Sequence, residues 1–174
     1  RAKRPWLGQV EKNPPENLPS YDPTCYLCPR NERAGGIKNL DYESTFVFAN
    51  DFSALLPEQT PEHASDHPLL ASVSERGLCR VVCFSPRHDL TLPELDNAAV
   101  ENVIATWIEQ TVDLSKKDFI HYVQVFENKG AIMGCSNPHP HSQIWATEHI
   151  PVEPAKELER QKTYFNENGR TLLS

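Results

Sequence analysis

The sequence predicts an α+β fold with a mainly antiparallel sheet and helices packed on one side. Three observations predict it. The elements read in the order strand, strand, helix, strand, strand, helix. The strand-like runs are short and rich in β-branched and aromatic residues. One segment between them carries a sustained apolar period of 3.6 residues.

Taken in order, residues 1–43 read as an extended arm. Pro5, Pro14, Pro15, Pro19, Pro23 and Pro29 exclude long helix or central strand there, and the arm carries a Cys25-x-x-Cys28 knuckle. Residues 44–49 (Ser-Thr-Phe-Val-Phe-Ala) form a first strand, and 57–68, with three prolines and two histidines, a surface loop. Residues 79–85 (Cys-Arg-Val-Val-Cys-Phe-Ser) form a second strand that Pro86 stops. Val100, Val103, Ile104, Trp107 and Ile108 then share one helical face, with Asp96 at the N-cap and Pro93 on the approach. Residues 119–126 make a third strand and 139–146 a fourth, where Pro140 places the strand at an edge or at the start of its ladder. The charged segment 153–167, ending before Gly169, reads as a second helix.

Composition removes several function classes. Seventeen Lys and Arg against 24 Asp and Glu give a net charge of −7, which argues against a protein that wraps nucleic acid through bulk charge. The longest apolar runs, such as Phe46-Val47-Phe48-Ala49, are four residues, against the roughly 20 of a membrane-spanning helix. Arg1-Ala2-Lys3-Arg4-Pro5-Trp6 is basic but runs into polar sequence, so no secretory leader is visible. Five cysteines are an odd number for a disulfide framework; a reducing cytoplasm, with some of them used as thiolates, is the expectation.

The chemistry concentrates in Gly134-Cys135-Ser136-Asn137-Pro138-His139-Pro140-His141-Ser142-Gln143-Ile144-Trp145. Strand alternation sends His139, His141 and Gln143 to one face, with Ile144 behind. A lone histidine pair is ordinarily solvated surface or satisfied core; a third polar group in register, after a Gly-Cys-Ser-Asn turn, points to a site. A neutral imidazole held in one tautomer is a nucleophile toward phosphorus. Gln143 can donate an amide N–H to a phosphoryl oxygen, and Gly134, Cys135 and Ser136 can add backbone N–H groups and a hydroxyl. The set suits phosphoryl or nucleotidyl transfer better than proteolysis.

Cys25-x-x-Cys28 by itself also fits a redox pair or two unremarkable thiols. As half of a metal site it needs two more ligands: His88 is a natural third and one histidine of the 139/141 pair a natural fourth. Such a Cys2His2 set is closed, hence structural. Cys79 and Cys83 read as core, His63 and His67 as solvated, and His121 and His149 carry no assignment.

Phe126-Glu127-Asn128-Lys129-Gly130 and the Gly134–Trp145 stretch resemble the galactose-1-phosphate uridylyltransferase family, a branch of the histidine-triad superfamily. Arg1–Trp6, Cys25-x-x-Cys28, Val47-Phe48-x-Asn50-Asp51-Phe52 and Thr91–Leu95 match in the same order. The resemblance implies a histidine-triad-like fold and an N-terminal family domain over 1–174, with the family's C-terminal half absent. It implies an enzyme that moves uridylyl from UDP-glucose to galactose 1-phosphate through a uridylyl-histidine on His141, assisted by Gln143 and Ser136. By motif position Cys25, Cys28, His88 and His139 are zinc ligands, and the His139 carbonyl orients His141. Substrate would meet Arg1, Arg4, Asn50, Asp51, Asn128, Gly134, Cys135, Ser136, His139, His141 and Gln143. Glu157 matches a ligand of a second metal, iron or zinc, whose other ligands are not in this chain. A homodimer is implied as well. Alternatives are a related nucleotide hydrolase or phosphorylase, against whose hydrolase branch Gln143 stands where a third histidine is typical, and a non-catalytic, zinc-stabilised nucleotide-binding module.

Overall fold

A computed structural model of the chain describes residues 18–58, 67, 69–70, 72–130 and 133–173. Arg1, Arg4 and His63 lie outside the described residues. The four strands are β1 (Phe46–Ala49), β2 (Gly77–Cys83), β3 (Tyr122–Phe126) and β4 (His141–Thr147), and the helices are α1 (Asn97–Ser115) and α2 (Val152–Asn168). The strands form one sheet in the order β1-β2-β4-β3. β3 pairs antiparallel with β4, with Tyr122 opposite Thr147 and Phe126 opposite Gln143. The bonds that bracket β2 and β4, Phe84 N–H to the Pro140 carbonyl (3.2 Å) and Glu148 N–H to the Arg76 carbonyl (3.1 Å), have the registry of an antiparallel pair. The predicted α+β class and antiparallel sheet are therefore present. No helix among the described residues is long and apolar enough to cross a membrane.

β4 is an interior strand, and this resolves the expectation drawn from Pro140. The proline sits one residue before the ladder begins, where its missing N–H removes no strand bond and its carbonyl still accepts from Phe84. The start-of-strand reading holds and the edge reading does not.

The chain divides into two compact units. The first comprises the described residues up to Val47, with Val82–Val103 and Glu127–Ser142. Its buried side chains include Leu27, Tyr42, Val82, Phe84 and Val103, and with them Cys25, Cys28, His88 and His139. The described part of the arm has little regular structure: a 3-10 turn at Ala34–Gly36 and a single bridge between Glu32 and Lys38. Its order comes from side-chain bonds onto main chain. Asn39 Nδ2 donates to the carbonyls of Tyr26 and Cys28 (both 2.9 Å), and Asn31 Nδ2 to those of Asp22 (2.9 Å) and Cys25 (2.7 Å). A short, proline-rich segment thus satisfies its buried carbonyls without strand partners.

The second unit comprises the described residues of Phe48–Val81, with Ile104–Phe126 and Gln143–Ser174. Cys79, Val81, Leu114, Ile120, Ile144 and Ala146 are its buried apolar side chains. Arg76 makes a two-point pair with Glu148 (2.8 and 2.9 Å) and lies over the Phe119 ring. Cys79 and Cys83 are both buried, as the strand composition predicts.

α1 begins where Asp96 predicts: its Oδ1 accepts from Ala99 N–H at 2.8 Å. The buried face is turned from the predicted one. Val103 and Leu114 are fully buried and Val100 and Trp107 half-buried, whereas Ile104 and Ile108 are 46% and 60% exposed. The apolar stripe on this helix is wider than the face its neighbours cover. α2 ends at Gly169, whose φ of 66° is left-handed and whose N–H donates to the Phe165 carbonyl at 2.8 Å. It has no buried residue.

Gly77, the first residue of β2, is required by space. A Cβ there would lie 2.2 Å from the Ala146 carbonyl oxygen and 2.8 Å from Leu55 Cδ1. Gly77→Ala is expected to lower stability by about 1–3 kcal/mol, read as a reduced denaturant midpoint in urea unfolding.

Candidate metal centre and nucleophile

The structure brings Cys25, Cys28, His88 and His139 together, all buried, with their ligand atoms within 4.8 Å of one another. It is the sole such group of histidine, cysteine and acidic side chains among the described residues. Of the two candidates for fourth member, His139 joins the group and His141 does not. Cys28 Sγ lies 3.5 Å from His88 Nδ1 and 3.4 Å from His139 Nδ1. A tetrahedral ion with metal–sulfur and metal–nitrogen bonds of ordinary zinc length separates such ligands by about 3.5 Å, so the residues fit a metal.

Each ligand is placed by local bonds. Cys25 and Cys28 lie in successive turns, with Cys25 N–H on the Asp22 carbonyl (3.1 Å) and Cys28 N–H on the Cys25 carbonyl (3.2 Å), and Leu27 N–H points at Cys25 Sγ (3.3 Å). His88 follows the end of β2, its N–H on the Ser20 carbonyl at 2.9 Å. The His139 ring is fixed from its far side. Nε2–H donates to the Ser85 carbonyl (3.0 Å) and to Tyr42 Oη (3.3 Å), while the phenol donates onward to the Leu27 carbonyl (2.6 Å). With Nε2 protonated, Nδ1 is the nitrogen with a free lone pair, and it is the one that faces Cys28.

Burial sets the protonation of this cluster. It pushes the His139 imidazole down to about 4, the Ser85 bond opposing it, so the ring is neutral near pH 7. Burial also pushes the Cys28 thiol up to about 12, and the Cys83 thiol likewise. Without a metal these thiols are protonated, and a bound cation must displace the proton of Cys28.

His139 departs from the strand alternation predicted for it. β4 begins at His141, and from there half-buried His141, Gln143, Trp145 and Thr147 alternate with buried Ser142, Ile144 and Ala146. His139 lies before the strand in a bend, where Asn137 Oδ1 accepts its N–H at 2.8 Å, and its ring turns into the buried cluster. The face of β4 therefore carries His141 and Gln143 but not His139. The Ser142 side chain is buried on the opposite face.

His141 Nδ1 lies 2.7 Å from the His139 carbonyl oxygen. A carbonyl only accepts, so Nδ1 carries a proton, and in the neutral ring the lone pair lies on Nε2. Gln143 Oε1 accepts from the Trp145 indole N–H at 3.2 Å, which orients its amide and leaves the NH2 group as donor. The Trp145 ring is itself braced edge-on by Phe126, with centroids 5.6 Å apart.

The other predicted residues fall as follows. Gly134 turns the chain with φ of 79°, and Cys135 N–H is already used by the Gly130 carbonyl (3.2 Å), so that amide serves the loop and not a ligand. Cys135 Sγ donates to the Asn137 carbonyl (2.9 Å), and exposed Ser136 approaches Tyr26 Oη at 3.5 Å. Asn128 is half-buried. Asn50 follows β1, its N–H on the Cys79 carbonyl and its Oδ1 accepting from Phe52 N–H (both 2.9 Å), with Asp51 beside it in the same turn. Glu157 is exposed on α2. Sequence reasoning gave no role to Tyr42, Asn39 or Asn137. Asn137 sat inside the quoted motif; nothing in the sequence around Tyr42 pointed to its bond with His139.

Comparison with known proteins places these features in company. The galactose-1-phosphate uridyl transferase N-terminal domain profile matches residues 1–151. The galactose-1-phosphate uridylyltransferase of Haemophilus influenzae is 53% identical over 173 residues, 99% of this chain and 49% of its own. That of Saccharomyces cerevisiae is 45% identical over 187 residues, covering 100% of this chain and 51% of its own. The chain thus spans about half the length of the curated relatives it matches. A solved uridylyltransferase shares the fold, with a TM-score of 0.74 at 24% identity over 90% of this chain and 50% of that one. An ADP-glucose phosphorylase from Arabidopsis thaliana with bound ADP-glucose has a TM-score of 0.63 at 26% identity, covering 90% and 49%.

Two outcomes follow from the buried cluster. Titration of the metal-free chain with Co(II) should saturate at one ion per chain with sulfur-to-metal charge transfer, and Cys28→Ser should remove that band. In the metal-free chain the His139 pKa is lower folded (about 4) than unfolded (6.5), so between these values the unfolded state binds more protons. Stability should then fall as pH drops through this window, by up to about 1.4 kcal/mol per pH unit from this group, and His139→Asn should flatten that dependence in urea titrations.

Proposed function

The chain belongs to the galactose-1-phosphate uridyl transferase family, and from that premise we propose that it moves a uridylyl group from UDP-glucose to galactose 1-phosphate in galactose metabolism. The observation that carries the reading is the 2.7 Å bond from His141 Nδ1–H to the His139 carbonyl, which in the neutral ring leaves the lone pair on Nε2. Nε2 attacks the α-phosphorus of UDP-glucose. The bond from that phosphorus to the bridging oxygen breaks, and its electron pair leaves with glucose 1-phosphate. UMP remains on His141 through a nitrogen–phosphorus bond. A phosphate oxygen of galactose 1-phosphate then attacks the same phosphorus, the nitrogen–phosphorus pair returns to Nε2, and UDP-galactose departs.

The remaining assignments belong to the same reading. The Gln143 NH2 group donates to a nonbridging oxygen as charge builds there, and the Ser136 hydroxyl adds a second donor. Gly134, Cys135 and Asn128 line the phosphates; Asn50 and Asp51 meet the uridine ribose; Arg1 and Arg4 bring positive charge. Cys25, Cys28, His88 and His139 would hold zinc, and a set of four protein ligands would give it a structural role. Glu157 serves a second metal, iron or zinc. The working protein is a cytoplasmic homodimer whose partners are nucleotide sugars and hexose 1-phosphates, with neither nucleic acid nor membrane involved. The likeness to the ADP-glucose phosphorylase favours a second reading, in which inorganic phosphate replaces the sugar phosphate as acceptor.

The test is to incubate the full, metal-loaded chain with UDP-glucose labelled at the α-phosphorus. Acid-labile label should appear on the protein and be absent from His141→Asn. Discharge by galactose 1-phosphate as UDP-galactose supports the transferase, and discharge by inorganic phosphate alone supports the phosphorylase. Absence of label from the wild-type chain would sink both.

A further inference from the structure

Asn137 is buried to 4% exposure and makes bonds that join the metal cluster to the segment bearing His141. Its Oδ1 accepts the His139 N–H at 2.8 Å. Its Oδ1 and its Nδ2 each lie 3.4 Å from Cys25 Sγ. One amide thus meets both neighbours, with Nδ2–H directed at the Cys25 sulfur and Oδ1 taking the His139 N–H.

The His139 main chain is held at both ends. Asn137 takes its N–H, and the His139 carbonyl takes the His141 Nδ1–H. One residue thus lies between the amide that contacts sulfur and the ring whose Nδ1–H bonds the His139 carbonyl. Asn39 and Tyr42, hydrogen-bonding side chains described beside the cluster, make different bonds. Asn39 bonds to the Tyr26 and Cys28 carbonyls, and Tyr42 touches the His139 ring and the Leu27 carbonyl, so neither bonds to the His139 main chain.

We propose that Asn137 is a positioning residue whose amide ties the Cys25 sulfur to the His139 main chain and so holds the orientation and tautomer of His141. Its consequence for catalysis rests on His141 being the nucleophile; the coupling itself is a matter of hydrogen bonds and is read without turnover.

The decisive variant is Asn137→Asp. It keeps an oxygen for the His139 N–H, so a residue that merely shapes the bend tolerates it. It removes the donor to sulfur and sets a carboxylate against a thiolate. On the full chain loaded with Co(II), the sulfur-to-metal charge-transfer band should move to lower energy, because an unbonded thiolate holds its electrons less tightly. Metal release to a chelator should quicken about 10- to 100-fold. Nitrogen NMR of the labelled imidazoles should show His141 changing from one Nδ1–H tautomer to a mixture. If Asn137→Asp does not fold, Asn137→Ser serves in its place, being neutral, with an acceptor for His139 and no reach to sulfur. Wild-type release with a wild-type band overturns the proposal. So does faster release with an unchanged His141 tautomer, which would confine Asn137 to the metal. Because nucleotide labelling is not among these readouts, a wild-type chain that takes no uridylyl group while the variants shift as described would remove the proposed function and leave the coupling standing.

Discussion

Four buried ligand atoms, within 4.8 Å of one another, bring the knuckle at Cys25 and Cys28, the exit of β2 at His88 and the approach to β4 at His139 to one point. The arm that supplies two of them has one isolated bridge and one 3-10 turn among its described residues, too little regular structure to hold it by backbone pairing. Its alternative is side-chain ligation, backed by asparagines that cap the carbonyls the arm must bury. Two thiols and two imidazoles gathered in an apolar setting gain little from one another without a cation, since burial merely keeps the Cys28 thiol protonated and the His139 ring neutral. With one, the same burial strengthens every bond to it. Cys25, Cys28, His88 and His139 of the first unit are gathered as closely as a four-ligand metal site requires.

His139 separates two tasks that might have needed two residues. Its ring belongs to the cluster, and its carbonyl belongs to His141. The intervening Pro140 has no N–H, so it cannot compete for that carbonyl through a local turn, and its fixed φ limits how the chain passes from bend to strand. The side chain of His141 can consequently stay on the half-buried face of β4 while its neighbour two residues earlier is wholly enclosed. The metal ligand and the nucleophile candidate are close in sequence because one acts through its ring and the other through a bond to its main chain.

Much of this was legible in the chain. The four strands, the Asp96 cap and the Gly169 stop follow from residue chemistry that acts within a few positions. The Cys2His2 set could be proposed because thiol and imidazole spacing is itself a constraint. What was not legible depended on partners distant in sequence. Strand alternation put His139 beside His141 and Gln143, and only the bond to Asn137 and the buried cluster show why the chain bends before the strand begins. Ile104 and Ile108 read as core because periodicity finds an apolar stripe without saying how much of it is covered. Tyr42 lies 97 residues from the ring it supports, a separation over which local pattern is silent.

α2 closes its backbone bonds on itself, is stopped cleanly by Gly169, and buries none of its residues. Its 17 residues are about the length at which an isolated helix in water is half formed at best. Its folding is then a matter of helix–coil balance and not of the cooperative transition that the sheet undergoes. A far-ultraviolet dichroism melt of this chain should superpose a shallow, broad loss of signal from α2 on a steep one from the rest. Amides along α2 should exchange with solvent long before those of β2 and β4, so a single melting temperature would describe only part of the molecule.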